Sequence, residues 1–312
     1  MRSLQINKYG GNEVVELNLE ARKPSLTSET VLVEVLAAGV NPIDWKIRQG
    51  YLAQMLPLEF PVTLGGDFSG RISAVGEKVA GLKVGDEVYG QAGVLLGGNG
   101  SFAESILVSP ANLAKKPNSV DMIEAAALPL AGVSAVQSLY EQLALKKEQS
   151  ILIHGGAGGI GSYAVQIAKN IGAKVYATAK TADLEYVKSL GADEAIDYRT
   201  QKFEEVIKDL DAVFDTVGGN SYAKSFQVIK RGGVINSMVE QPNEDLAKQY
   251  GVRALNQFTQ VNTGRLDTLA KLVDQGVVKV HIEKTFGLEQ GSEALAYLEE
   301  KHPNGKIVIK IK

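Results

Sequence analysis

The first residues of this 312-residue chain with an obvious chemical use are Gly156-Ala157-Gly158-Gly159-Ile160-Gly161. They follow an apolar run, Ile151-Leu152-Ile153, and open a stretch of helical periodicity. Glycines at this spacing permit a tight turn, close approach of the backbone to a pyrophosphate, and close packing of helix on strand. The helix start then offers N–H groups and a positive dipole end to phosphate oxygens. Gly156, Ala157, Gly158, Gly159, Ile160 and Gly161 are therefore expected to hold a dinucleotide. A glycine-rich turn with no ligand is the plainer alternative.

The next expected strand, residues 174–179, decides between the two nicotinamide dinucleotides. An NAD site carries an acid at that strand's end for the ribose 2′-OH. Here the end reads Thr178-Ala179-Lys180-Thr181, with no acid at the tip. Lys180 and Thr181 supply a cation and a hydroxyl suited to a 2′-phosphate, so NADPH is the expected cofactor. Asp183 reads as a cap of the following helix.

The elements that must position these residues alternate. Strands are expected at 150–154, 174–179, 194–196, 212–216 and 233–238. Helices are expected at 160–171, 184–190, 203–210 and 222–229. Such alternation means βαβ units around a parallel sheet. Residues 1 to about 120 read instead as short strands punctuated by Gly, Pro and Asp. Asp121 and Glu124 form a capping-box variant at the change of pattern. A last helix at 265–275, extended pieces at 277–283 and 306–310, and a helix at 292–300 follow. The final pieces could rejoin the first domain as added strands.

Composition narrows the function. With 33 Lys and Arg against 36 Asp and Glu, net charge is −3, so no basic excess is available for a nucleic acid backbone or an anionic membrane. No stretch approaches the 18 apolar residues of a spanning helix, and the N-terminus has no signal-like run. A cytoplasmic protein is the expectation. Cysteine is absent, which removes disulfides, thiolate nucleophiles and thiolate-ligated metals.

Seven stretches, in order along the chain, resemble the medium-chain dehydrogenase/reductase superfamily. Within it they resemble the zinc-independent quinone oxidoreductases, relatives of zeta-crystallin. These are Ala37-Ala38-Gly39-Val40-Asn41-Pro42-Ile43-Asp44, Leu64-Gly65-Gly66-Asp67, Val84-Gly85-Asp86-Glu87-Val88, Gly100-Ser101-Phe102-Ala103-Glu104, Ala127-Leu128-Pro129-Leu130-Ala131-Gly132, the glycine run, and Gly305-Lys306-Ile307-Val308. The resemblance implies an α/β protein. A GroES-like β-barrel domain would span 1–123 and 276–312, and a Rossmann domain with a doubly wound parallel sheet 124–275, with the active cleft between them. It also implies a homodimer paired through a Rossmann sheet edge at 233–238.

The zinc-using branch places a cysteine where this chain has Asn41, and Gly-His-Glu where it has Gly65-Gly66-Asp67. The three histidines, His154, His281 and His302, are widely spaced and read as structural or surface residues, so no metal site is expected. Without a Lewis acid the acceptor must disperse its own charge. A quinone or an α,β-unsaturated carbonyl does so by conjugation, and a few donors then suffice. NADPH-dependent hydride transfer to such a small molecule is the expected activity. A non-catalytic NADPH-binding protein of the zeta-crystallin type is the alternative.

By resemblance, Asn41 and Asp44 stand near the nicotinamide and Lys46 faces the acceptor, where it could donate to the developing oxyanion or else is a plain surface lysine; Trp45 and Tyr51 line the pocket or pack in the core. Asp44 has a second reading, as a cap of a short helix after Pro42. Ser134, Tyr198, Val217 and Ser237 join the cofactor contacts by position.

Overall fold

A computed structural model describes residues 1–301 and 303–312; His302 lies outside the described residues. The chain divides into two compact units. One comprises Met1–Leu130, Val261–Gln275 and Val280–Lys312, the other Ala131–Gln260 and Gly276–Lys279.

The first unit is built on the strand Val31–Val40, whose apolar residues are buried almost throughout. Antiparallel neighbours flank it: Asp67–Val75, Ser105–Val108 and the C-terminal Lys306–Lys310. The full sheet runs Ile282–Gly287, Lys306–Lys310, Val31–Val40, Asp67–Val75, Glu87–Gln91, Leu113–Lys115, with Ser105–Val108 also on Val31–Val40. A small sheet of Val15–Asn18, Ser3–Ile6 and Val62–Thr63 accompanies it. Val33, Phe68, Ile72, Ile106, Ile307 and Ile309 fill the core. The C-terminal strand rejoins the first domain, as the sequence suggested. Its register sets Ile307 opposite Val40 and Val308 opposite Gly39, while Asp67 faces Gly39 from the other side. Lys306, Asn41 and Asp67 are thereby brought to one end of three adjacent strands.

The helix Thr263–Asp274 counts with this unit, although the sequence boundary at 275 grouped it with the second. Tyr89 donates its hydroxyl to the Leu266 carbonyl at 2.6 Å, and the Ser119 amide donates to Asp274 at 2.9 Å. Such tertiary hydrogen bonds have no signature in local periodicity.

The second unit holds a six-stranded sheet, ordered Glu194–Asp197, Lys174–Ala179, Ser150–Ile153, Leu210–Asp215, Ile229–Ser237, Arg253–Asn256. Every pairing is parallel. This is the 3-2-1-4-5-6 order, whose crevice lies at the carboxyl ends of the first and fourth strands. One expectation is corrected. Residues 233–238 do not form the sheet edge: Ile229–Ser237 is hydrogen-bonded on both sides, and the edge strand is Arg253–Asn256. That strand is half exposed and lacks an apolar run, so pattern reading passed over it. The capping box held: Asp121 accepts from the Glu124 amide, and Glu124 from the Asp121 amide, at the start of Met122–Ala126. Among the described residues no helix is long and apolar enough to cross a membrane.

Candidate active site

Asn41 stands at the N-cap of the helix Pro42–Arg48, but no side-chain cap bond is made there. Its amide is held by two charged groups instead. Oδ1 accepts from the Lys306 ammonium, and Nδ2 donates to Asp67 Oδ2 at 2.9 Å. Lys306 also donates to the Val40 carbonyl at 3.2 Å. Asp67 accepts from the Leu130 amide with both oxygens, at 3.1 and 3.0 Å. Asp44, at the third helical position, takes the Asn41 backbone N–H at 2.7 Å. Asp44 thus braces the helix start, as its second reading had it, and it also belongs to the buried cluster.

Asn41, Asp44, Asp67 and Lys306 are each at most 4% exposed. Burial drives every ionisable member toward neutrality. It pushes Asp44 up to about 7, against the Asn41 amide bond that favours the anion. It pushes Asp67 up to about 6, against Lys306 and the amide donors. Lys306 is lowered by burial, against the pull of Asp67 and Asp44. Asp67 has more donors than Asp44 and feels Lys306 more strongly, so Asp44 is the one that keeps its proton longest. Neither Asp67 nor Lys306 was singled out beforehand. A charge at the border of an apolar strand was the available signal, in Asp67-Phe68 and Lys306-Ile307.

Lys46, Trp45 and Tyr51 form a second group on the same segment. The Lys46 ammonium lies 5.6 Å from the Trp45 ring centroid, and Trp45 meets Tyr51 edge-on at 6.0 Å. Tyr51 is 67% exposed, whereas Trp45 packs partly against the core.

In the second unit, Gly158 caps the helix Gly159–Ile171, and no side chain caps it. The turn before it closes through Gly158 N to the Gly155 carbonyl at 3.0 Å. Gly155 has φ +70°, a left-handed conformation that favours glycine. Gly161 packs so closely that an added Cβ would stand 2.1 Å from the Gly155 carbonyl oxygen. The residues present suit a pyrophosphate: an uncapped helix start of thirteen residues, with Gly158, Gly159 and Ile160 partly accessible.

Thr178 is buried at this turn. Its carbonyl accepts from Gly156 N at 2.9 Å, and its hydroxyl lies 3.2 Å from Gly155 N. At the neighbouring strand tips, Lys180 and Thr181 both have acidic partners. The Lys180 ammonium is 3.4 Å from Asp183, and Thr181 donates to Asp197 at 2.6 Å. Asp183 occupies the N-cap of Leu184–Ser189 without a side-chain cap bond, so its carboxylate serves Lys180 rather than capping as expected. Tyr198 is 57% exposed beside Asp197.

Val217 and Ser237 are linked through Asp215, which sequence reasoning quoted but did not use. Asp215 accepts from the amides of Val217 and Gly218 at 3.1 and 2.9 Å and from the Ser237 hydroxyl at 2.6 Å. The ends of two adjacent strands are tied by one buried carboxylate. Ser134 is buried against Thr259, its hydroxyl 2.7 Å from that of Thr259.

Among the described residues no group of three or more His, Asp or Glu stands close enough to hold a metal ion. Two family descriptions match the chain: "Alcohol dehydrogenase GroES-like domain" over residues 27–118 and "Zinc-binding dehydrogenase" over residues 190–309. The 2-methylene-furan-3-one reductase of Solanum lycopersicum is 37% identical over 324 residues, covering 99% of this chain and 79% of that protein. The NADPH-dependent alkenal/one oxidoreductase of Arabidopsis thaliana, a chloroplastic protein, is 37% identical over 321 residues with the same coverage. The solved quinone oxidoreductase from Coxiella burnetii superposes with a TM-score of 0.93 at 34% identity, covering 100% of this chain and 99% of that one. These likenesses extend over the whole chain, and with them the chain belongs to the quinone oxidoreductase family of medium-chain dehydrogenases/reductases.

Proposed function

We propose that this protein is a zinc-independent, NADPH-dependent reductase acting on conjugated carbonyl compounds and quinones. The observation that carries the reading is the pinned amide of Asn41, held by Lys306 and Asp67 where the zinc-using branch has a metal ligand. The printed activities of the furanone and alkenal/one relatives support it.

When bound, NADPH supplies the hydride. Gly156 to Gly161 hold its pyrophosphate, and Thr178 braces the turn behind them. Lys180, whose contact with Asp183 is long and partly exposed, would be the group to hold the 2′-phosphate beside Thr181, since such pairs are weak and exchange readily. Tyr198 would meet the adenosine end, and Val217, Ser237 and Ser134 would serve the nicotinamide side. An amide nitrogen carries two hydrogens. Asn41 gives one to Asp67 and offers the other to the oxygen on which charge develops. Because the amide cannot rotate, that donor is preorganised. Lys46, Trp45 and Tyr51 supply an apolar and cationic wall for the acceptor. Conjugation spreads the charge that zinc would otherwise stabilise, and a proton from solvent completes the reduction.

NADPH oxidation should be followed with 1,2-naphthoquinone, a set of enones and enals, and their saturated counterparts. Turnover is expected on the conjugated compounds alone, and dialysis against a chelator should leave the rate unchanged. Equal rates on saturated aldehydes, or loss of activity on chelation, would refute the reading.

We also infer a homodimer formed along Arg253–Asn256, the edge at which the parallel sheet ends. An unprotected edge is a template for another strand. Sedimentation velocity should return twice the chain mass, and a monomer at micromolar concentration would contradict the pairing.

A further inference from the structure

His154 is 1% exposed, at the end of the strand Ser150–Ile153 and next to the glycine turn. Nδ1 lies 3.2 Å from the Thr178 hydroxyl, and Nε2 lies 2.9 Å from the Ser225 hydroxyl. The direction of each bond follows from counting hydrogens. Ser225 has one hydroxyl hydrogen and places it on the Ser221 carbonyl at 2.6 Å. A carbonyl cannot donate, so the Ser225 oxygen is an acceptor toward the imidazole, and Nε2 carries the ring hydrogen. Burial pushes the His154 pKa down to about 4, against Asp215 and Glu204, which pull it up. The ring is therefore neutral, and Nδ1 is bare.

A bare Nδ1 accepts. The Thr178 hydroxyl hydrogen points to it, which leaves the Thr178 oxygen facing the Gly155 N–H as an acceptor at 3.2 Å. One unbroken direction results: Gly155 N–H to Thr178, Thr178 to His154, His154 to Ser225, Ser225 to the Ser221 carbonyl. Gly155 is the left-handed residue whose carbonyl receives Gly158 and against which Gly161 packs. Its peptide orientation sets the loop that follows. A ring hydrogen on Nδ1 would remove the acceptor that fixes the Thr178 hydroxyl hydrogen and would break the single direction of this chain.

We propose that His154 is a positioning residue for the dinucleotide turn, acting through the Thr178 hydroxyl to hold Gly155 and hence the phosphate-facing amides in place. The proposal rests on the reading of this turn as an NADPH site.

The test compares two replacements that separate hydrogen bonding from packing. His154→Asn keeps an acceptor near the Nδ1 position but loses volume. His154→Leu keeps the bulk and loses the acceptor. NADPH affinity is read by fluorescence titration, alongside kcat, the KM for NADPH and the melting temperature. His154→Leu should raise the dissociation constant and KM about tenfold, the equivalent of one hydrogen bond, with kcat nearly unchanged. His154→Asn should bind NADPH more tightly than His154→Leu while melting lower. Thr178→Val, nearly isosteric and with the imidazole left in place, should reproduce the His154→Leu affinity, and Thr178→Ser should restore it. Long-range proton–nitrogen NMR of histidine-labelled protein should show the Nε2–H tautomer. Wild-type protein that binds no dinucleotide would overturn the NADPH reading and this inference together. Wild-type binding matched by His154→Leu, affinities that merely follow melting temperature, or an Nδ1–H tautomer would overturn this inference alone.

Discussion

Replacing Lys306 by methionine should destabilise the fold by about 3–5 kcal/mol, the range seen when one partner of a buried ion pair is removed. The replacement strips the ammonium from a site that also contains Asp44 and Asp67, both buried. Asp67 keeps its amide donors from Leu130 and Asn41 but loses the ammonium that offsets its burial. The amide of Asn41 loses the donor on Oδ1 and becomes free to turn over. Turnover of a conjugated acceptor should then fall about 10²-fold, since a misplaced catalytic group has that order of effect. Adding Asp67→Asn to Lys306→Met restores charge balance and should recover at least half of the lost stability, because the penalty belongs to the uncompensated carboxylate. Denaturant unfolding of the two single variants and the double variant measures this directly. A Lys306→Met protein as stable as wild type, or a double variant no better than the single, would show that the cluster is not organised around the lysine.

The second large effect concerns two glycines three residues apart that should fail in different ways. An alanine Cβ at Gly161 would lie 2.1 Å from the Gly155 carbonyl oxygen and 2.9 Å from the Gly156 Cα, both rigid backbone. Helix and turn must separate to admit it. Gly161→Ala should lose about 1–3 kcal/mol through overpacking, and with it essentially all measurable NADPH affinity. At Gly158 the nearest atom to an added Cβ is the Gly155 oxygen at 3.4 Å, and the backbone is already extended, at φ −74° and ψ 176°. Gly158→Ala should therefore fold with stability within about 0.5 kcal/mol of wild type. It should still weaken NADPH about 10- to 100-fold, or 1.4–2.8 kcal/mol, because the methyl group occupies the approach to the helix start. Fluorescence titration paired with thermal melting separates the two results. If Gly158→Ala binds as wild type does, the pyrophosphate does not approach the turn at that point.

The parallel sheet was legible because its inner strands are apolar runs separated by helical periodicity; 151–153 followed by the glycine run is the clearest case. The edge strand Arg253–Asn256 was not, because it has a charged and a polar end and its residues are exposed or only half-buried. The same omission moved the expected dimer edge one strand inward, onto residues already paired on both sides. Asn41 and Asp44 were singled out by resemblance because they lie within one short motif. Lys306 and Asp67 reach them only through the antiparallel register of strands from opposite ends of the chain, and local pattern contains no record of that register. The glycine turn shows a related limit. Its motif identified which residues approach a ligand but not what holds them, and the hydroxyl of Thr178, expected at a cofactor contact, is bonded behind the turn. Lys180 and Thr181 were expected to be open to a phosphate; the structure pairs them with Asp183 and Asp197, acids supplied by the helix start and the adjoining strand.

The cation that completes the first unit's site arrives on the last strand, Lys306–Lys310, and bonds to groups 265 and 266 residues earlier. During synthesis, therefore, Asp67 and Asp44 are made long before their counter-ion exists. Until that strand is made, the two carboxyls lack the ammonium that offsets their burial. Pairing of the last strand and delivery of the counter-ion coincide in one event, so a chain lacking residues 306–312 would leave the Asn41 amide without its donor on Oδ1.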